Sequence, residues 1–186
     1  LVGSEMCIRD RYWDGKPFFL VTKDQGTPDR DITYRVMWGL QTSIANGEWS
    51  YLQKDNSKNK GTNWSGAVEQ MSVSVAMQQN RMSNTGSATG RNHGITFYNQ
   101  WQNAFATRPK IITLTWWNEW GAERLDPSTN VACGTYCFTD NYNQEYSRDI
   151  EPQKGGLGST YYDWTTQYIR AYKNHQSVPR LVESGY

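Results

Sequence analysis

The stretch Ile111-Ile112-Thr113-Leu114-Thr115-Trp116-Trp117-Asn118-Glu119-Trp120-Gly121 decides how the chain is interpreted. It begins with β-branched and apolar residues, a composition typical of a strand buried on both faces in a parallel sheet. It then ends on an amide, a carboxylate and three tryptophans, which are poor material for a core. Active sites of parallel α/β folds lie at the carboxyl ends of strands, so the stretch predicts a functional centre at Glu119. The alternative is a strand end whose Glu only caps a loop or pairs with an arginine.

The alternation of side chains along this strand predicts which residues share a face. Successive residues of a strand point to opposite sides of the sheet. One face therefore carries Thr113, Thr115, Trp117 and Glu119, and the other carries Ile112, Leu114, Trp116 and Asn118. The carboxylate is expected at the tip of the strand, with aromatic rings beside it.

The composition excludes some classes of function. The chain has 186 residues, with 19 Lys and Arg against 18 Asp and Glu, a balance that argues against nucleic-acid binding. No apolar run is long enough to cross a bilayer, so no membrane partner is predicted. Two histidines and three cysteines make a metal site improbable, and neither a metal nor a cofactor is predicted. The 9 Trp and 12 Tyr suit cores, protein interfaces and sugar rings alike.

Periodicity places further elements around the central strand. Strands are predicted over 16–22, 32–39 and 70–78, and the last of these alternates apolar residues with small ones. Phe97, Trp101 and Phe105 recur at helical spacing before Pro109. A closing helix follows a Gly-rich loop, with Ser159 as its N-cap and a stripe of mainly aromatic residues. That stripe is Tyr161, Trp164, Thr165, Tyr168 and Tyr172.

Three segments lie outside this pattern. Residues 1–11 resemble a translated sequencing adapter and are interpreted as a non-native leader, with the natural protein extending upstream. Residues 12–175 are interpreted as one barrel fragment, and 176–186 as a tail or linker. The long polar excursion over 122–154 is predicted to be a functional loop. It contains Cys133 and Cys137, whose short spacing would allow a disulfide in an exported protein.

Two motifs and the closing helix resemble a known group. Trp117-Asn118-Glu119-Trp120-Gly121, Arg148-Asp149-Ile150-Glu151-Pro152 and the Tyr-rich helix look like the C-terminal part of glycoside hydrolase families 71 and 99 and their relatives. The similarity runs from about Asp14 to Lys173. It implies an α/β fold that is an incomplete (β/α)8 TIM-like barrel. It also implies an extracellular or exported protein whose partner is an α-linked oligosaccharide or polysaccharide of the glucan or mannan type.

The resemblance implies roles for individual residues. In family 99 the Glu that matches Glu119 is an active-site carboxylate, and a second catalytic Glu lies three residues later. Here that position is Ala122, and Glu123 comes one place further on. Either a bulge lets Glu123 serve as the second catalytic acid, or Glu145 on the long loop takes that role, or the site only binds sugar. We favour Glu119 and Glu145 as the catalytic pair.

Substrate binding is assigned to six residues in the two motifs, which are Trp117, Asn118, Trp120, Arg148, Asp149 and Glu151. The oligomeric state is left open. The competing hypothesis is a non-catalytic carbohydrate-binding barrel that uses the same mouth.

Overall fold

The computed structural model describes residues 12–21, 30–37, 48–50, 56, 61–62, 68–77, 89–118, 121, 124–126, 136–138 and 143–186. The strands are β1 (Tyr12–Trp13), β2 (Lys16–Val21), β3 (Thr33–Val36), β4 (Gly61–Thr62), β5 (Val68–Ser74), β6 (Ile111–Thr115), β7 (Arg124–Leu125) and β8 (Cys137–Phe138). The helices are α1 (Ile95–Thr107), which follows a 3-10 turn (Asn92–Gly94), and α2 (Thr160–Lys173). The four longer predicted strands correspond to β2, β3, β5 and β6, and both predicted helices are present.

The longer strands pair in parallel. β2 runs parallel to β3, and β5 runs parallel to β6 with Gln70 opposite Ile111. The pairs β1–β2, β4–β5 and β7–β8 are antiparallel. Because α1 lies between β5 and β6 in the chain, these three elements form a β-α-β unit. The carboxyl ends of β5 and β6 therefore lie at the same edge of the sheet.

The two faces of the β5–β6 pair differ in character. Val73 is opposite Leu114, and both pack into the hydrophobic core formed with the two helices. Ser74 is opposite Thr115 on the other face. The predicted alternation of apolar and small residues along β5 is confirmed, since its apolar face is the one that packs on the helices.

The core between α1 and α2 is built mainly from aromatic rings. Trp101 stacks on Tyr168 with centroids 5.0 Å apart and planes at 14°. Phe97 meets the same Tyr168 edge-on at 5.3 Å, and Tyr161 lies 6.1 Å from Phe97. We call these four residues the aromatic core. Burial of each ring contributes about 1.5–3 kcal/mol of hydrophobic stabilisation, and the helical stripes predicted for α1 and α2 are confirmed.

Local residues explain where the helices begin and end. α1 ends at Thr107, and the capping residue Arg108 has a left-handed φ of 54° and donates its N–H to the Ala104 carbonyl at 2.8 Å. Pro109 follows, and a residue before proline avoids the helical region. α2 begins after Ser159, as predicted, but the Ser159 hydroxyl accepts no capping hydrogen bond from the backbone and instead donates to the Asp163 carboxylate at 2.6 Å.

Polar contacts join β5 to the earlier part of the chain. Arg35 on β3 makes a bidentate ion pair with the buried Glu69, with distances of 2.6 and 2.7 Å. The hydrogen bond to Glu69 raises the pKa of Arg35, so the guanidinium stays charged. The Gln70 amide donates to the Ser50 carbonyl at 2.6 Å. These parallel and polar contacts describe a mixed α/β arrangement, and the incomplete barrel stays a prediction.

The segment after α2, interpreted from the sequence as a tail or linker, packs on the start of α1. The Glu183 N–H donates to the His93 carbonyl at 2.9 Å, and the Glu183 carboxylate lies 2.9 Å from His93 Nδ1. The Tyr186 ring stacks on His93 at 3.6 Å. Val178 and Leu181 add apolar contacts to the core. Neither α1 nor α2 has the length and apolar content that a membrane span needs.

Candidate functional site at the carboxyl end of β6

The backbone beyond β6 is held by the segment that carries the second motif. The Trp116 N–H donates to the Arg148 carbonyl at 3.2 Å, and the Ile150 N–H donates back to the Trp116 carbonyl at 3.1 Å. The Glu151 N–H then donates to the Trp117 carbonyl at 3.0 Å. The peptide bond between Thr115 and Trp116 is cis. The two motifs, about 30 residues apart in the chain, therefore lie side by side at the strand end.

An amide and a carboxylate meet where these segments end. The Asn118 side-chain amide donates to Glu151 Oε2 at 2.5 Å. Asn118 is exposed and Glu151 is half-buried, so both are accessible from solvent. Carboxylate and amide groups of this kind are suited to hydrogen bonding with sugar hydroxyls. Asn118 and Glu151, two residues predicted to bind substrate, are thus in contact. Asn118 directly precedes Glu119 in the sequence.

The residue before Asn118, Trp117, has a partly exposed ring that packs against the ring of Tyr162. Trp117 is 50% exposed and Tyr162, in the first turn of α2, is 39% exposed. Their ring centroids are 6.0 Å apart and their planes are at 79°. Exposed aromatic rings next to polar groups are typical of binding surfaces. We call Trp117, Asn118, Glu151 and Tyr162 the strand-end site.

Arg148 and Asp149 lie beneath this surface. Arg148 is 1% exposed, and its guanidinium lies 4.3 Å from the ring centroid of Trp116. Asp149 is also buried. An arginine over an indole face gains from the ring's negative quadrupole, so these contacts support the backbone of the strand-end site. Direct binding of substrate by either residue stays a prediction.

Glu145 is fixed to the loop before α1. Its carboxylate accepts the Asn92 N–H at 2.8 Å, and its carbonyl accepts the Arg91 N–H at 2.8 Å. Gly90 makes room for this contact, because a Cβ at position 90 would collide with Glu145 Oε1. The predicted catalytic partner therefore joins the long loop to the start of the helix.

Arg91 is a buried residue that the sequence analysis missed. It is 3% exposed, and its guanidinium lies 4.2 Å from the ring centroid of Tyr161. Its Nε donates to the Gln144 carbonyl at 2.8 Å and its Nη2 to the Asp149 carbonyl at 2.7 Å. One side chain thus fixes both ends of segment 144–149. The only signal in the sequence was a lone arginine just before a helix.

Burial raises the pKa of Tyr161 to about 12, and the positive charge of Arg91 opposes part of that rise. The hydroxyl therefore stays protonated over the physiological range.

Tyr162, the next residue, was also missed by the sequence analysis. It lies outside the helical stripe, and its only signal was an aromatic residue on the exposed side of the first helical turn.

Several predicted residues fall outside the described residues. They are Glu119, Trp120, Glu123 and Cys133. The carboxylate pair and the disulfide between Cys133 and Cys137 accordingly stay predictions. Among the residues that the structure describes, no three His, Cys, Asp or Glu side chains are grouped so that they could hold a metal ion.

Comparison with known proteins adds no relative to this picture. No protein-family model matches the chain, and neither a curated protein nor a solved structure matches it.

Proposed function

We propose that the chain is part of a glycoside hydrolase-like barrel protein that binds and cleaves α-linked glucan or mannan-type glycans at the carboxyl end of β6. The observation that carries the proposal is the hydrogen bond between Asn118 and Glu151 beside the half-exposed Trp117. A flat apolar face next to hydroxyl-binding groups suits a sugar ring, whose C–H face and hydroxyl edge need opposite environments.

Cleavage requires two acids at this place. One protonates the glycosidic oxygen, the other activates water or attacks the anomeric carbon, and the net reaction adds one water across the C–O bond. Glu119 is proposed as the first of them, because it directly follows Asn118 in the sequence. Glu145 remains the proposed partner. Glu123 stays the alternative from the sequence, and Glu151 is a further candidate because its carboxylate accepts a hydrogen bond from the Asn118 amide.

Sugar binding without cleavage is the second candidate function. It is favoured by the contact of Glu145 with the Asn92 backbone, which gives that carboxylate a structural task. It is favoured also by Ala122, which stands where the resembling family has its second catalytic Glu. The strand-end site already contains the groups that binding needs.

Hydrolysis of α-linked gluco- and manno-oligosaccharides by the full-length protein tests the choice. Glu119→Gln keeps the side-chain shape and removes the acid, so we expect kcat to fall by about 10²–10⁴-fold with the melting temperature unchanged. Glu145→Gln and Glu151→Gln, measured in parallel, identify the partner as the one whose loss lowers kcat comparably. A Glu119→Gln protein with wild-type kcat would contradict cleavage at this site. Binding without turnover by the wild-type protein would favour the second function.

A further inference from the structure

We infer that Tyr162 and Trp117 are two walls of a corner that holds two consecutive sugar units, one unit on each ring. This inference rests on the proposed carbohydrate-binding function and adds to it a minimum ligand length. It also assigns a specificity role to a residue on α2, an element that neither sequence motif includes.

The geometry of the two rings gives the count of sugar units. Their planes are at 79° and their centroids are 6.0 Å apart. A pyranose ring stacks with its flat C–H face parallel to an aromatic face, so one sugar cannot stack on two perpendicular rings. With both rings partly exposed, a ligand that uses both must place a different unit on each and bend between them.

Both walls belong to ordered parts of the fold. The Trp117 carbonyl accepts the Glu151 N–H, which fixes the backbone beside that ring. Tyr162 is carried by the first turn of α2, whose neighbouring residue Tyr161 is buried in the aromatic core. Pre-organised rings lose little entropy when a ligand arrives, which favours binding to their exposed parts.

The polar pair is connected to one wall of the corner through the backbone, because the Glu151 N–H donates to the Trp117 carbonyl. Asn118 directly follows Trp117, and its amide contacts Glu151. A sugar on Trp117 would therefore present its hydroxyl edge to an amide and a carboxylate. A sugar on Tyr162 would extend the ligand toward α2. Tyr162 is then expected to affect oligosaccharides and not monosaccharides.

Calorimetric titration of the full-length protein tests this with α-linked glucose and mannose series of one, two and three units. Tyr162→Leu removes the flat ring and keeps apolar area on the helix. We expect it to weaken binding of the two- and three-unit ligands by roughly fivefold and to leave monosaccharide binding unchanged. Tyr162→Phe keeps the ring and should bind like wild type. The matched control is Tyr12→Leu, because Tyr12 is 62% exposed and lies on β1.

Each outcome decides the inference. Equal affinities of wild type and Tyr162→Leu for every ligand would overturn it, and so would a Tyr162→Phe protein as weak as Tyr162→Leu. If Tyr162→Leu loses helical circular dichroism, Tyr162→Gln replaces it, since Gln is also a good helix former. Weaker binding by Trp117→Ala together with wild-type behaviour of the Tyr162 variants would reject the two-ring corner and leave the proposed sugar binding in place. A wild-type protein that binds none of these sugars would reject the proposed function as well.

Discussion

The aromatic core and the strand-end site use the same kinds of side chain in opposite environments. In the core, Trp101 and Tyr168 are stacked and fully buried between two helices. At the strand end, Trp117 and Tyr162 are packed at right angles and leave much of their surface exposed. The difference shows that the burial of an aromatic ring here depends on its position on the helix or strand, and not on its type.

The hydrogen bonds of the two regions differ as well. The helix stripes of the core need no long-range polar contact to align, because their spacing of three or four residues brings them to one face. The strand-end site depends on backbone bonds between 116–117 and 148–151, and on Arg91, which reaches across more than 50 residues of sequence. The site is therefore the region whose geometry is sensitive to distant substitutions.

The largest expected contrast is between two tryptophan replacements. Trp101→Ala should lower the free energy of unfolding by about 3–5 kcal/mol, because it leaves a large cavity in the aromatic core. Trp117→Ala should change it by less than about 1 kcal/mol while weakening sugar binding. Chemical denaturation of both variants measures the difference. Equal destabilisation would break the distinction between the two regions.

A smaller effect is expected for Arg91, which contacts both the aromatic core and segment 144–149. Arg91→Lys keeps the positive charge but loses the planar fork that reaches two carbonyl groups, so the free energy of unfolding should fall by about 2 kcal/mol. Amide hydrogen exchange over 144–151 should become faster than in wild type. Arg124→Lys is the control, because Arg124 is exposed and lies over the ring of Tyr136. Unchanged exchange over 144–151 in Arg91→Lys would show that the segment is held without this side chain.

A further effect is expected on the pH dependence of stability. The pKa of Tyr161 is about 12 in the folded protein, against about 10 for a tyrosine in an unfolded chain. The folded state therefore keeps its proton where the unfolded state has lost it, and stability should fall as pH rises from about 10 to 12. Tyr161→Phe should show a shallower fall in denaturation midpoints over that range. An identical slope in both proteins would mean that the hydroxyl reaches water.

Features with a short repeat could be predicted from the sequence. The β-branched run at Ile111–Thr115 became β6, and the stripes through Trp101 and Tyr168 became the packed faces of α1 and α2. The Asn118 and Glu151 motifs were both assigned to substrate binding, and they are in contact. The predictions of β6 and of the two helices succeeded for one reason, since alternation and helical spacing act within a few residues. The substrate-binding role of Asn118 and Glu151 stays a prediction.

Arg91 and Tyr162 could not be predicted in the same way. The partners of Arg91 are backbone carbonyls of a loop 53 and 58 residues later, and a carbonyl has no residue-specific signature in the sequence. Tyr162 follows a stripe residue, so its exposure depends on how α2 is rotated against the core. Burial of Arg148 likewise follows from its contact with the Trp116 ring, which no local pattern records.

Gly90 has a consequence for how sequences of this kind can diverge. A side chain at position 90 would displace the Glu145 carboxylate from its present place, because the new Cβ would collide with it and the flexible Glu145 side chain would have to move. The two positions should therefore covary: a relative with Ala or Ser at position 90 should carry a shorter or differently placed residue at 145. In such a relative, the second acid of the proposed cleavage would have to come from another position.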